Sequence, residues 1–204
     1  MSSSPSLTSS PRARGGRFTR RAVLGGLATF ATVLWAPAGK AQQLYRRRPP
    51  LPKMGPSFRT EVSVSGDAVA GDIFISTAEK TLILALGGKR ALAYRISVGR
   101  QGFGWSGSCV VGAKAEWPDW RPPAEMRARQ PDLPELVPAG PYNPLGARAL
   151  YLYRNGRDTI FRIHGTNDAD GVGFDNTSGC FRLTNTDIVD LYERVPVGTR
   201  VEVV

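Results

Sequence analysis

Thr81-Leu82-Ile83-Leu84-Ala85-Leu86, then Gly87-Gly88, then Ala91-Leu92-Ala93-Tyr94-Arg95-Ile96-Ser97-Val98 is the stretch that decides the fold class. Two short apolar runs flank a glycine pair, the pattern of a β-hairpin. On its N-terminal side, Gly71-Asp72-Ile73-Phe74-Ile75-Ser76 reads as a further strand. On its C-terminal side, Leu150–Tyr153 and Thr159–Ile163 read as a second strand pair around Asn155-Gly156, and Arg200-Val201-Glu202-Val203 alternates like a closing strand. One helix is expected. Ile188, Leu191, Tyr192 and Val195 fall at i, i+3, i+4 and i+7, Thr184 and Asp187 can cap its start, and Pro196 and Gly198 stop it. The 23 glycines and 16 prolines favour short strands and turns over a helical bundle. Residues 99–148, rich in Gly, Pro and Trp, read as a long loop region of the kind that carries function. The expectation is a mainly β domain with one short C-terminal helix.

The ends of the chain read differently. Residues 1–41 have the three parts of an export signal: a basic start closing on Thr19-Arg20-Arg21, an apolar run from Ala22 to Trp35, and the small-residue stretch 36–41. The paired arginines suggest a twin-arginine signal, and the 14-residue apolar run is short for a bilayer span. Residues 42–64, with Arg46-Arg47-Arg48-Pro49-Pro50, read as a basic, Pro-rich linker, which leaves 65–204 as one folded domain. A periplasmic or cell-envelope location follows from such a signal, with no stable membrane span after cleavage and a membrane anchor if the segment is retained.

The formal net charge of +10 does not mark a nucleic-acid binder. Eleven of the 27 basic residues precede Glu61 and no acid does, so the remainder carries 16 basic against 17 acidic residues. A nearly neutral domain lacks the footprint that phosphate backbones require. One histidine and two cysteines without close ligand spacing do not build a tetrahedral zinc site, and no metal or cofactor is expected.

The single histidine stands in Arg162-Ile163-His164-Gly165-Thr166-Asn167, at the end of an expected strand. Sixteen residues later comes Thr177-Ser178-Gly179-Cys180-Phe181-Arg182-Leu183, a glycine-containing turn before the expected helix. A thiol becomes nucleophilic beside an imidazole or a positive field. A glycine before it lets backbone N–H groups reach a tetrahedral oxyanion. Spacing alone leaves the bland reading open, in which the histidine is structural and the cysteine a small buried apolar residue.

His164-Gly165-Thr166-Asn167 followed by Ser178-Gly179-Cys180-Phe181-Arg182-Leu183 resembles the L,D-transpeptidase catalytic domain family, or YkuD domain. The likeness extends to Val98–Trp105, Glu116–Met126, Asn143–Leu150 and the Val197-Gly198-Thr199 turn, and covers roughly residues 68–204. It implies an L,D-transpeptidase-like curved β-sandwich. It also implies a reaction in which a thiolate attacks the L-centre carbonyl of a peptidoglycan tetrapeptide stem. D-alanine leaves, and the thioester passes to an amine on a second stem. Carried over residue by residue, Cys180 is the nucleophile and His164 the base, and the Gly165 carbonyl orients the imidazole. Gly179 and Cys180 supply oxyanion N–H groups, and Arg182 holds a substrate carboxylate or stiffens the loop. Ser178 departs from the commoner pattern, which has a second histidine there. Stem peptides are the implied partner, and an outer-membrane lipoprotein lysine is a candidate acceptor.

Alternatives stay beside this reading. Hydrolysis of the same bond shares the first half-reaction, and a non-catalytic wall-binding module is the bland function. A Cys109–Cys180 disulfide would silence the thiol. The carboxylates of Asp168, Asp170 and Asp175 could favour a protonated His164 or form a solvated loop. Trp105, Trp117 and Trp120 could wall a groove or fill the core.

Overall fold

In a computed structural model the protein is described over residues 53–66 and 68–204, so the expected export signal, residues 1–41, lies outside the described residues. The described strands are β1 (Thr60–Ser63), β2 (Ile73–Ser76), β3 (Thr81–Gly87), β4 (Arg90–Arg95), β5 (Val98–Gly99), β6 (Gly107–Glu116), β7 (Arg148–Arg154), β8 (Arg157–His164), β9 (Asp175–Thr177), β10 (Phe181–Arg182) and β11 (Arg200–Val203). Two described helices join them, α1 (Ala124–Arg129) and α2 (Asn185–Arg194). Nine strands form one mixed sheet in the order β1-β4-β3-β2-β11-β6-β7-β8-β10, and β5 pairs with β9. The large sheet is curved back on itself. Ser97, just past β4, exchanges backbone hydrogen bonds of 2.8 and 3.0 Å with Arg182 of β10, near the opposite end of the strand order.

The two expected hairpins are β3–β4 and β7–β8. Asn155 and Gly156 take positive φ, 52° and 73°, as a tight two-residue turn requires. Inside the curve, Ile73, Leu84, Leu150, Ile163 and Phe181 meet Ile188 and Leu191 of α2, all essentially inaccessible to solvent. Fully burying each such side chain is worth about 2 kcal/mol before entropy is counted. The helix is capped as expected. Thr184 Oγ1 accepts the Asp187 N–H at 3.2 Å. At the other end, Lys114 Nζ donates to the Tyr192 and Val195 carbonyls at 2.6 Å each, where the helix dipole favours a cation.

Two expectations need amending. The 99–148 region contains a ten-residue strand, β6, and a six-residue helix, α1. Gly107–Glu116 has no clean apolar alternation, because β6 sits between β11 and β7 and gains its order from both neighbours. α1 buries no residue and has no side-chain cap, so neither signal of a helix is present in its sequence. The stretch read as linker is described from Lys53 onward, and that part lies against the domain. β1 pairs with β4, and Thr186 and Asn185 of α2 hold the Lys53, Met54 and Gly55 carbonyls at 2.7–3.0 Å. No helix among the described residues is long and apolar enough to cross a membrane.

Candidate active site

β8 and β10 run parallel, with Ile163 opposite Phe181 and His164 opposite Arg182. Ile163 and Phe181 point into the core. Strand alternation therefore turns Arg162, His164 and Arg182 to the other face. Carrying the β8–β10 register back by one residue sets Cys180, just before β10, level with Arg162 and on the face of His164. The pairing thus brings the two predicted residues, sixteen apart in sequence, to neighbouring positions on one surface. Both cysteines are free thiols.

His164 is buried, and its Nδ1 lies 2.6 Å from the Gly165 carbonyl oxygen. A carbonyl can only accept, so Nδ1 carries the proton and Nε2 keeps its lone pair. Burial pushes the imidazole down to about 4; the Gly165 carbonyl opposes this, while the guanidinium groups of Arg182 and Arg162 add to it. The ring is neutral at physiological pH. Burial also pushes the Cys180 thiol up, opposed by the backbone N–H and the guanidinium of Arg162. The resting pair is a neutral thiol and a neutral imidazole, the protonation state for general-base activation.

The turn before the thiol is tightly held. Gly179 has φ +105°, and a Cβ there would sit 2.5 Å from the Phe161 ring, so no other residue fits without rearrangement. Its carbonyl accepts from Trp105 Nε1 at 3.1 Å, and Trp105 stacks on Phe161 with centroids 4.8 Å apart. Thr177 Oγ1 donates to the Cys180 carbonyl at 2.7 Å and accepts the Gly179 N–H at 3.2 Å.

Cys180 and Ser178 open into a cleft of about 640 Å³. Phe103 and Trp120 wall it, together with Met126 and Arg129 of α1 and Ile160 and Arg162 of β8. Of the three tryptophans, Trp120 lines the cleft, Trp105 supports the Gly179 turn, and Trp117 packs near Arg148. Arg182 is not among the cleft-lining residues. Its Nη2 holds the Gly171 carbonyl at 3.2 Å and the Asn176 side chain, so its recorded contacts staple the 171–176 loop. Asp168 accepts the Gly171 N–H, and Asp175 pairs with Lys80, so these carboxylates are engaged within and beside their own loop.

Sequence reasoning missed Arg162. It lines the cleft level with Cys180, and Asp158 grips its guanidinium through two hydrogen bonds of 2.7 and 2.8 Å. No motif marks it. Only the β8–β10 register puts it beside the sulfur.

The family model described as the L,D-transpeptidase catalytic domain, YkuD, matches residues 70–203. The chain belongs to the L,D-transpeptidase catalytic domain family. It is 40% identical over 145 residues to the protein of Escherichia coli K12 named probable L,D-transpeptidase YbiS, covering 67% of this chain and 45% of that protein. The chain thus matches about half the length of that curated relative. Among solved structures, a Brucella melitensis protein described as a probable carnitine operon oxidoreductase is 39% identical, with a TM-score of 0.51 over 72% of this chain and 93% of that one. An L,D-transpeptidase of Enterococcus faecium, solved as a cysteine-to-serine mutant, shares the fold with a TM-score of 0.51 at 18% identity, over 67% of this chain and 50% of that one. The mainly β architecture is that of L,D-transpeptidases.

Proposed function

We propose that the protein is an exported cysteine acyltransferase of peptidoglycan, with Cys180 as nucleophile and His164 as base. The observation that carries this reading is the imidazole lock: Nδ1–H is committed to the Gly165 carbonyl, which leaves Nε2 unprotonated, and the strand register supports its lying on the face of the thiol. The family membership supports the substrate class. The oxidoreductase name belongs to the Brucella protein and is not transferred here.

In the proposed reaction Nε2 takes the thiol proton as Sγ bonds to the L-centre carbonyl carbon of a tetrapeptide stem. The Cys180 N–H receives the oxyanion. The Gly179 N–H already donates to Thr177 Oγ1 and must turn from it to act as a second donor. The C–N bond to the terminal D-alanine then breaks, its nitrogen takes the proton from Nε2, and D-alanine leaves a thioester behind. An amine of a second stem attacks the thioester carbon. Its proton returns through Nε2 to the departing sulfur, which restores the thiol and leaves a 3→3 cross-link. A lipoprotein lysine could replace that amine with the same balance. Residues 1–41 would direct export by the twin-arginine route to the periplasm, with the basic stretch after them as a tether.

The test is mass analysis of tetrapeptide muropeptides after incubation with the mature protein. Release of D-alanine with new dimers is expected, and none with Cys180→Ala. Shortened stems without dimers would assign hydrolysis instead. Full turnover by Cys180→Ala would remove the reading.

A further inference from the structure

Asn185, the first residue of α2, is completely buried, although it carries a polar amide. All of its recorded hydrogen bonds go to backbone. Oδ1 accepts the N–H of Ala147 at 2.8 Å and of Thr166 at 3.1 Å. Nδ2 donates to the carbonyls of Thr166 at 2.7 Å and Lys53 at 2.9 Å. Two accepted and two donated bonds exhaust the capacity of a carboxamide. Such a fully satisfied buried group fixes the segments it joins, because each lost partner would leave a polar atom stranded.

One of those bonds bears on the imidazole. The Thr166 N–H and the Gly165 carbonyl are the two ends of a single peptide unit, which is planar. Holding the N–H end on Asn185 Oδ1 fixes the direction of the C=O end. That carbonyl is the acceptor 2.6 Å from His164 Nδ1. Among the described residues the imidazole has no other polar partner, so the ring's tautomer rests on this one acceptor. The approach is close enough that a Cβ on Gly165 would overlap Asn185 Oδ1. This accounts for the glycine at that position as a packing requirement of the amide.

We propose that Asn185 is a positioning residue for His164, acting through the 165–166 peptide plane to hold the imidazole in the Nδ1–H tautomer. The place that a carboxylate or amide side chain occupies in other nucleophile–histidine systems is filled here by a peptide unit, and Asn185 aims that unit. The same amide reaches the Lys53 carbonyl, so the chain entering the domain shares the residue that orients the base.

The consequence for catalysis rests on His164 being the base, but the tautomer can be read without turnover. The chain has one histidine, so ¹⁵N NMR of labelled protein gives one imidazole signal set. The wild type is expected to show Nδ1 protonated and Nε2 bare. Asn185→Ala frees the peptide, and the signals move toward a mixture of tautomers. Its kcat on tetrapeptide muropeptides should fall about 10- to 100-fold with little change in KM. The acid limb of its rate profile should move to lower pH, because the carbonyl's hydrogen bond favours the protonated ring. Asn185→Asp keeps the two acceptor contacts but strands the Thr166 and Lys53 carbonyls, so it should lower Tm and, as folded protein, retain the wild-type tautomer. Asp190→Asn, on the same helix, removes the charge and one of the two acceptor oxygens that Tyr94 and Arg194 share, and should lower Tm without altering tautomer or pH profile. A folded Asn185→Ala with the wild-type tautomer and kcat overturns the inference, as does a folded Asn185→Asp that loses the tautomer. Wild-type protein inactive on muropeptides but showing the locked tautomer would remove the proposed function alone.

Discussion

Cys109 and Cys180 place the same thiol in two kinds of surroundings. Cys109 lies in the middle of the curved sheet, on β6 opposite Val201, with its side chain in the hydrophobic core. Burial pushes it up to about 11, with Arg154 opposing and Glu202 adding to the shift. Cys180 ends a turn at the sheet margin and opens on a cleft that Arg162 also lines, and the strand register puts His164 on the same face. Burial raises both thiols. What separates them is access and a nearby imidazole, because an inaccessible thiol without a proton acceptor is chemically inert. In the proposed reaction, reactivity is a property of the margin where two parallel strands meet.

The largest expected difference is in turnover. Cys180→Ala should lower muropeptide conversion by at least ~10⁴-fold, while Cys109→Ala should leave kcat/KM unchanged and cost about 1 kcal/mol of stability through lost packing. Denaturant melts beside the activity assay check both halves. Equal activity losses in the two variants would erase the contrast.

Gly179→Ala attacks the turn that the Cys109 strand lacks. The new Cβ meets the Phe161 ring in a backbone conformation that L side chains rarely adopt, so Cys180 must move with the turn. A loss of about 100-fold in acylation by a carbapenem is expected, read as the rate of the mass adduct. An unchanged rate would mean that the turn does not set the thiol's position.

His164 extends the contrast to stability. Its folded value, about 4, lies below the ordinary 6.5, so the fold favours the neutral ring. That contribution is intact above pH 6.5. It is lost as pH falls from 6.5 toward 4, because the unfolded chain takes up the proton first. The full depression corresponds to about 3 kcal/mol at ~1.4 kcal/mol per pKa unit. Wild-type stability should therefore drop more steeply than that of His164→Gln over this range, measured by urea melts. Parallel curves would show that the ring titrates normally.

How much of this was readable in the sequence follows from where the information sits. The β3–β4 hairpin announces itself through apolar runs around a glycine pair, and α2 through its spacing and Thr184 cap. Both signals are local. β6 is not readable, because its order comes from β11 and β7, which lie far along the chain. The site divides in the same way. His164 and Cys180 stand in a recognisable motif, but Arg162, Trp105 and Asn185 are joined to it through strand register, stacking and a peptide plane. None of these has a spacing signature. The stretch 53–59 was composed like a tether, with proline and basic residues, yet Ser57 and the Phe58 N–H dock on the Asp187 carboxylate at 2.6 and 2.9 Å. Composition does not report contacts made through the backbone.

The smallest expected effect isolates the charge beside the Cys180 thiol. The Arg162 guanidinium is held by Asp158 and lies over the Tyr151 ring at 4.3 Å, so it is fixed beside the cleft. It opposes the burial that raises the Cys180 thiol. Arg162→Met keeps much of the side-chain volume and removes the charge. The thiol should then rise further, and alkylation of Cys180 by iodoacetamide at neutral pH should slow by roughly 3-fold or more, in proportion to the lost thiolate. Cys109 is shielded in the core and should be unreactive in both proteins until they unfold. If Arg162→Met alkylates at the wild-type rate, the charge is spent on Asp158. Access and the imidazole would then account for the whole difference between the two thiols.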